Sequence, residues 1–164
     1  MLLLAQGAIA ERRFFAGKYK IAQAESHVGY ITPARNNHEV NLTPREYVWQ
    51  VEPNNGGFSI RSVEHHLYLK AGVGRYHNEK DEKREKEEIR PVALEPSEQP
   101  EAWSISEFDE ISKSYRIAPL GDRNFALSHI GPEDSPLVLQ RKEYGNKATH
   151  QLWRFVKVPE DYEV

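Results

Sequence analysis

Three short segments of similar sequence recur along the chain, and their recurrence limits the possible folds more than any other feature. Each contains an aromatic residue, a polar residue and an isoleucine: "YKI" from Tyr19, "FSI" from Phe58 and "YRI" from Tyr115. Residues two positions apart in a strand point to the same face, so each aromatic ring shares a face with its isoleucine. An internal repeat of this kind predicts a fold built from three equivalent units.

Each of these opening segments is followed, later in the chain, by a closing segment that begins with tryptophan. The closing segments are "WQV" from Trp49, "WSI" from Trp103 and "WRF" from Trp153. A large aromatic side chain buries ~150–250 Å² when it enters a core. We therefore expect the three tryptophans to occupy equivalent positions in one shared core, in preference to the alternative that they stack on a ligand.

Alternating apolar and polar residues, bounded by turn residues, recur about every ten residues and predict strands throughout. The twelve predicted strands are 18–24, 28–32, 40–42, 47–52, 58–63, 67–70, 91–95, 102–108, 114–120, 124–128, 137–141 and 151–158. Three units of four strands predict an all-β protein with the β-trefoil fold, in which three hairpins cap a six-stranded barrel. Closing a sheet into a barrel removes the exposed edges that an all-β chain must otherwise protect.

The 164 residues suffice for one domain. We predict a trefoil domain over residues 15–160, preceded by an N-terminal extension of residues 1–14 and interrupted by a charged insertion at 75–90. Ten of the eleven residues from 78 to 88 are charged and none is apolar. Such a segment cannot bury a face, which predicts a solvated insertion, with an interaction arm as the alternative.

Composition excludes several classes of partner. The net charge of −3 and the pI near 6.2 imply no broad basic face, so nucleic acid is not expected to bind. The absence of cysteine excludes disulfides and cysteine-zinc sites and suits a reducing compartment. No apolar run approaches the ~20 residues that span a bilayer. The opening "MLLLAQGAIA" lacks a basic region, so a cytoplasmic location is favoured over secretion. We expect a monomer.

The sequence gives little support to an enzyme. The adjacent His65 and His66 would face opposite sides of a strand and could not easily share a metal ion. Neither a nucleophile elbow nor a phosphate-binding glycine loop is present. We therefore expect no catalytic activity, no cofactor and no metal site.

Several segments resemble the fungal β-trefoil serine-protease inhibitors. "AGKYKIAQAESHVGYI" resembles their first repeat, "LEPSEQPEAWSIS" the end of the second, and "SYRIAPL" and "LWRFVKV" the strands of the third. The resemblance covers about residues 15–158. It implies inhibition of a target protease through an exposed loop, since a loop held by a rigid scaffold loses little entropy on binding.

A trypsin-like protease carries an aspartate in its S1 pocket and therefore takes an arginine or lysine. The first candidate is Arg35, between the second and third predicted strands, at a loop that the resembled family uses. The candidate protease-binding loop is Pro33, Ala34, Arg35, Asn36 and Asn37. The alternative is an ordinary solvated arginine. A second candidate loop lies between the last two strands and contains Arg141, Lys142 and Lys147.

The segment "FALSHIGPEDSPLVLQRKEYGNKATHQLWRF" is also similar to a repeat of the ricin-B-type lectins, including the Gln-x-Trp of Gln151 to Trp153. Those repeats usually place an aspartate soon after the leucine of their second strand, whereas this chain has "ALSH" there. Gln151 is therefore either a signature of the fold or part of a sugar site. A protease inhibitor is the leading hypothesis, a carbohydrate-binding module is the alternative, and a partner-binding module is a third.

The asparagines of "PNNGG", residues 53–57, offer one further candidate, for an asparagine-specific cysteine protease. The same Asn-Gly pair is first of all a hairpin turn signal, and the turn is the favoured interpretation.

Overall fold

The computed structural model describes residues 16–25, 29–72 and 89–161. The predicted N-terminal extension and most of the charged insertion lie outside these residues. The described chain contains twelve strands, numbered in chain order, and one 3₁₀ helix at Gly145–Gln151. The strands are β1 (Gly17–Gln23), β2 (Tyr30–Pro33), β3 (Val40–Thr43), β4 (Trp49–Asn54), β5 (Gly57–Ser62), β6 (Tyr68–Ala71), β7 (Ile89–Glu95), β8 (Trp103–Asp109), β9 (Ser114–Pro119), β10 (Phe125–Ser128), β11 (Val138–Arg141) and β12 (Trp153–Lys157). All twelve predicted strands are confirmed, and β7 begins within the last residues of the predicted insertion.

Six strands form a closed antiparallel barrel. Strand β1 pairs with both β12 and β4, β5 pairs with β4 and β8, and β9 pairs with β8 and β12. Every barrel strand therefore has two neighbours, and none presents an unpaired edge. The predicted all-β trefoil with a six-stranded barrel is confirmed.

The other six strands form three hairpins, β2–β3, β6–β7 and β10–β11, which are bonded to one another. The amide of Leu94 donates to the carbonyl of His38 at 2.9 Å, and the amide of Leu137 donates to that of Val40 at 2.8 Å. Strand β11 also pairs with β7. Apolar residues of all three hairpins enter the same core as the barrel residues, so the hairpins and the barrel share one apolar interior.

The tryptophans occupy equivalent positions, as the repeat predicted. Each faces the aromatic residue of an opening segment across a barrel pair: Trp49 with Tyr19, Trp103 with Phe58, and Trp153 with Tyr115. Each is buried, and each indole Nε1 donates to the carbonyl of a hairpin residue: Ile31 at 2.9 Å, Leu69 at 3.0 Å and Leu127 at 3.0 Å. A buried indole N–H needs such a partner, so each tryptophan joins its hairpin to the barrel.

The β4–β5 connection is the two-residue turn that "PNNGG" predicted. Asn54 pairs with Gly57, and Asn55 and Gly56 between them have φ values of 50° and 88°. Both values lie in the left-handed region that a tight hairpin turn requires. Within the described ranges, no helix is long and apolar enough to cross a membrane.

Candidate functional site

The repeat creates three equivalent outer patches on the hairpins. In each hairpin two core residues face each other across the strands: Ile31 and Leu42, Leu69 and Leu94, Leu127 and Leu139. The residue after each core residue lies on the opposite face of its strand. The first, second and third outer patches are therefore Thr32 with Thr43, Lys70 with Glu95, and Ser128 with Gln140.

The first two outer patches are occupied by internal pairs. In the first, the hydroxyl oxygens of Thr32 and Thr43 lie 2.9 Å apart and form a hydrogen bond. In the second, Lys70 Nζ lies 3.1 Å from Glu95 Oε2 in an exposed ion pair. In each of these two patches the main polar groups therefore bond each other.

The third outer patch extends into a larger polar cluster. His150 Nε2 donates to Gln140 Oε1 at 2.8 Å and lies 3.8 Å from a carboxylate oxygen of Glu143. We therefore include Glu143 and His150 in the third outer patch. Both of these side chains are partly exposed, while Ser128 is buried and donates to the Ala126 carbonyl. The buried amide of Gln140 thus meets a partly exposed imidazole and a partly exposed carboxylate.

The loop beside this cluster is closed by its own hydrogen bonds. His129 Nε2 donates to the Pro132 carbonyl at 3.0 Å, and the Ser135 hydroxyl donates to the same carbonyl at 2.6 Å. Burial lowers the pKa of His129, and the neighbouring His150 lowers it further, while the Pro132 carbonyl and Glu133 act against this. The lowered pKa favours the neutral imidazole, whose hydrogen bond to the Pro132 carbonyl closes the loop. The His129 amide also donates to the His150 carbonyl at 3.0 Å.

Gln151 holds the loop after β11 in place. It is fully buried, its Nε2 donates to the Arg141 carbonyl at 2.8 Å, and its Oε1 accepts from the Glu143 amide at 2.9 Å. Both ends of its amide are therefore bonded to the backbone. Of the two interpretations of the Gln-x-Trp motif, the structure supports the fold signature, and Gln151 acts by positioning Glu143.

The first predicted protease-binding loop forms a closed turn. Pro33 is buried and Arg35 and Asn36 are exposed. The amide of Asn37 donates to the Ala34 carbonyl at 2.9 Å, which places Arg35 and Asn36 at the two central positions of a β-turn. The amide of Ala34 donates to the Glu39 carbonyl at 2.9 Å, and Asn37 has a φ of 56°. Arg35 is thus accessible, but the backbone around it is folded back rather than extended.

The second predicted loop is mostly helical. Arg141 is the last residue of β11, and its guanidinium carbon lies 5.2 Å from the centroid of the Phe125 ring. Lys142 is partly buried, and Lys147 is exposed within the 3₁₀ helix. Among the described residues, no group of three or more histidine, aspartate or glutamate side chains could hold a metal ion.

Sequence reasoning did not single out the residues that form the third outer patch. Gln140, Glu143 and His150 come from the end of β11, the loop after it and the 3₁₀ helix. Glu143 and His150 lie in or beside the second candidate loop, whose predicted site residues, Arg141, Lys142 and Lys147, are all basic. The repeat could have identified Gln140, because its register places the residue after each core position on the face of the hairpin opposite the core.

No protein-family model matches the chain, and no curated protein sequence matches it significantly. Solved structures do match. The Macrolepiota procera ricin B-like lectin, solved in complex with lactose, matches with a TM-score of 0.69 at 15% identity, over 89% of this chain and 99% of that one. A Culex quiquefasciatus salivary protein of the cysteine and tryptophan-rich family matches with a TM-score of 0.65 at 15% identity, over 88% and 95%.

The Polyporus squamosus lectin, bound to the epitope Neu5Acα2-6Galβ1-4GlcNAc, matches with a TM-score of 0.61 at 17% identity, over 87% of this chain and 49% of that one. These likenesses establish the β-trefoil fold. At such low identities they establish nothing further about this chain, because one fold supports many functions.

Proposed function

We propose that this protein is a non-enzymatic carbohydrate-binding module that holds a saccharide at the third outer patch. The observation that carries the proposal is the meeting of the buried Gln140 amide with the partly exposed side chains of Glu143 and His150. Saccharide hydroxyls both donate and accept hydrogen bonds. An amide, an imidazole and a carboxylate supply both kinds of partner, and small-ligand sites use a few such groups in fixed positions.

An exposed aromatic ring belongs to the residue after Glu143 and lies beside Arg116. Tyr144 follows Glu143 directly and is 71% exposed. The apolar face of a pyranose ring can pack on a phenol ring, and the hydroxyl at the ring's tip remains free for hydrogen bonding. Tyr144 therefore supplies the apolar wall that the polar cluster alone lacks.

The third repeat is the favoured repeat because its polar cluster is larger and includes a partly exposed imidazole and a partly exposed carboxylate, whereas each of the other two outer patches is a single pair. Thr32 and Thr43 bond each other, and Lys70 and Glu95 form an ion pair. The proposal therefore assigns one saccharide site to each chain. The likeness in fold to two lectins solved with bound saccharides supports this function without establishing it.

Protease inhibition has weaker support from the structure. A substrate-like inhibitor presents an extended segment, whereas Arg35 occupies the centre of a hydrogen-bonded turn. The trefoil scaffold itself is compatible with either function. Inhibition through Arg35, or through Arg141, Lys142 and Lys147, stays a prediction.

The test is binding of the purified chain to an array of immobilised neutral saccharides, followed by calorimetry with the best one. Gln140→Ala removes a member of the third outer patch, and Glu95→Ala removes the equivalent residue of the second. We expect Gln140→Ala and His150→Ala each to weaken binding about tenfold, as loss of one or two hydrogen bonds implies, and Glu95→Ala to leave it unchanged.

Each variant is first checked for a cooperative unfolding transition well above the assay temperature, so that a loss of binding reports the site and not the fold. The proposal fails if no saccharide is retained. It also fails if Gln140→Ala and Glu95→Ala weaken binding equally.

A further inference from the structure

A buried arginine without a counter-charge lies on the flank of the third outer patch. Arg116 of β9 is only 6% exposed. Its guanidinium donates to the Glu143 carbonyl, and its central carbon lies 5.0 Å from the Phe108 ring centroid and 5.1 Å from that of Tyr144. Its Nε is buried and has no hydrogen-bond partner among the described residues. Burying an unpaired charge is costly, so this arrangement calls for an explanation.

The first repeat provides an internal comparison. Lys20 follows Tyr19 as Arg116 follows Tyr115, so the two cations occupy equivalent positions. Lys20 Nζ lies 3.3 Å from a carboxylate oxygen of Glu46 and is thereby paired. At the equivalent place in the third repeat the partner of Arg116 is a backbone carbonyl, which carries no net charge. The third repeat therefore has the cation without a carboxylate partner.

Two further cations adjoin Arg116. Lys142 precedes Glu143, whose carbonyl Arg116 contacts, and the Lys142 amide donates to the Asn124 carbonyl at 2.8 Å. That bond brings Arg123, the neighbour of Asn124, next to Lys142. Burial lowers the pKa of Lys142, and repulsion by Arg116 and Arg123 lowers it further.

The nearby carboxylates are engaged elsewhere. Glu143 Oε2 lies 3.8 Å from His150 Nε2, and Asp122 Oδ2 lies 2.9 Å from Arg90 Nη1. No carboxylate of the described residues forms an ion pair with Arg116, Arg123 or Lys142. Among the described residues, these three cations are thus without a contact ion pair.

We propose that Arg116, Arg123 and Lys142 form an anion site that holds the carboxylate or sulfate group of an acidic saccharide bound at the third outer patch. Exposed Arg123 and partly buried Lys142 contact the anion, and arginine suits the planar oxygens of such groups. Arg116 is buried and attracts the anion without touching it, because water screens a buried charge less. Glu143 links the two regions, since its carbonyl contacts Arg116 and its carboxylate faces His150.

This inference rests on the proposed function and narrows it to acidic saccharides. The experiment uses matched pairs of disaccharides, each in a neutral and a sulfated or carboxylated form, together with inorganic sulfate alone. We expect the acidic form to bind about tenfold more tightly than its neutral partner, and high salt to reduce that advantage. Lys142→Gln and Arg123→Gln each remove much of the advantage.

Lys147→Gln is the matched control, because Lys147 is an exposed lysine of the same connection outside the cluster. Lys147→Gln is expected to leave the higher affinity for the acidic form unchanged. Equal affinity for acidic and neutral forms, with both lost in Gln140→Ala, overturns the anion site and leaves the proposed function standing. Sulfate alone binding as tightly as the sulfated sugar also overturns the inference, since the anion then binds without the saccharide. If sulfate binds and none of the saccharides does, both proposals are overturned.

Discussion

Replacing Gln151 with methionine separates the two interpretations of the Gln-x-Trp motif. Methionine nearly preserves the volume of the side chain, so no large cavity forms. The change removes two hydrogen bonds to backbone groups, one from Gln151 Nε2 to the Arg141 carbonyl and one from the Glu143 amide to Gln151 Oε1. It therefore tests the hydrogen bonds and not the packing.

The magnitude follows from what the lost bonds leave behind. A polar group that loses its partner costs up to about 1–3 kcal/mol when it is buried, and Gln151→Met leaves one carbonyl and one amide, both in partly buried surroundings, without this partner. We expect the free energy of unfolding to fall by roughly 2–5 kcal/mol. For a domain of this size that corresponds to a lower melting temperature by roughly 5–20 °C.

Urea unfolding followed by tryptophan fluorescence measures this change. Gln140→Met is the control, because the Gln140 amide bonds a side chain that is itself partly exposed, His150. It should cost about 1 kcal/mol. A loss of stability below about 0.5 kcal/mol for Gln151→Met would refute the structural role assigned to Gln151.

Three further predictions concern other parts of the chain. A Cβ on Gly57 would lie 2.5 Å from the Trp103 carbonyl oxygen, so Gly57→Ala should destabilise the barrel by about 1–3 kcal/mol. Gly121→Ala is the control, because a Cβ on Gly121 would meet nothing within 4 Å, and it should change the unfolding midpoint little. Burial raises the pKa of Glu101 above its usual 4.5, although the hydrogen bond from the Ala71 amide opposes this shift. The folded state thus favours the protonated carboxyl group. The stability of the fold therefore falls as the pH rises through the raised pKa. Glu101→Gln should therefore raise the melting temperature at pH 7 more than at pH 4, and the reverse order would contradict this assignment. Titration of trypsin with the purified chain tests the protease hypothesis: stoichiometric inhibition that disappears in Arg35→Ala would support it, and the absence of inhibition would contradict it.

The strands were predictable because barrel strands bury one face and so alternate in sequence. The predicted strand bounds were wrong where tertiary contacts determine the backbone conformation. The last strand was expected from residue 151 but begins at Trp153, since Gln151 ends a 3₁₀ helix and turns its amide toward the loop after β11. Strand alternation carries no information about such a side-chain bond.

The candidate site was less predictable than the fold. Arg35 was identified from its residue type and loop position, but the turn around it depends on bonds from Ala34 and Asn37 that the sequence does not display. Gln140 and His150 are ten positions apart in sequence and meet only because the 3₁₀ helix returns the chain to β11. In the alternating pattern of its strand, Arg116 occupies a position expected for a solvated residue. Only the fold shows that the rings of Phe108 and Tyr144 cover it.

The closure of the barrel has a consequence for the order in which the chain folds. Strand β1 completes its ladder only when β12 pairs with it, from Tyr19 with Lys157 to Gln23 with Trp153. During synthesis β1 therefore keeps one edge open until nearly the whole domain has been made. All-β domains dominated by such distant pairings fold in about milliseconds to seconds, slower than helical domains of equal size. The exposed edge of β1 is thus the place where a nascent chain would be most prone to pair with a neighbouring copy.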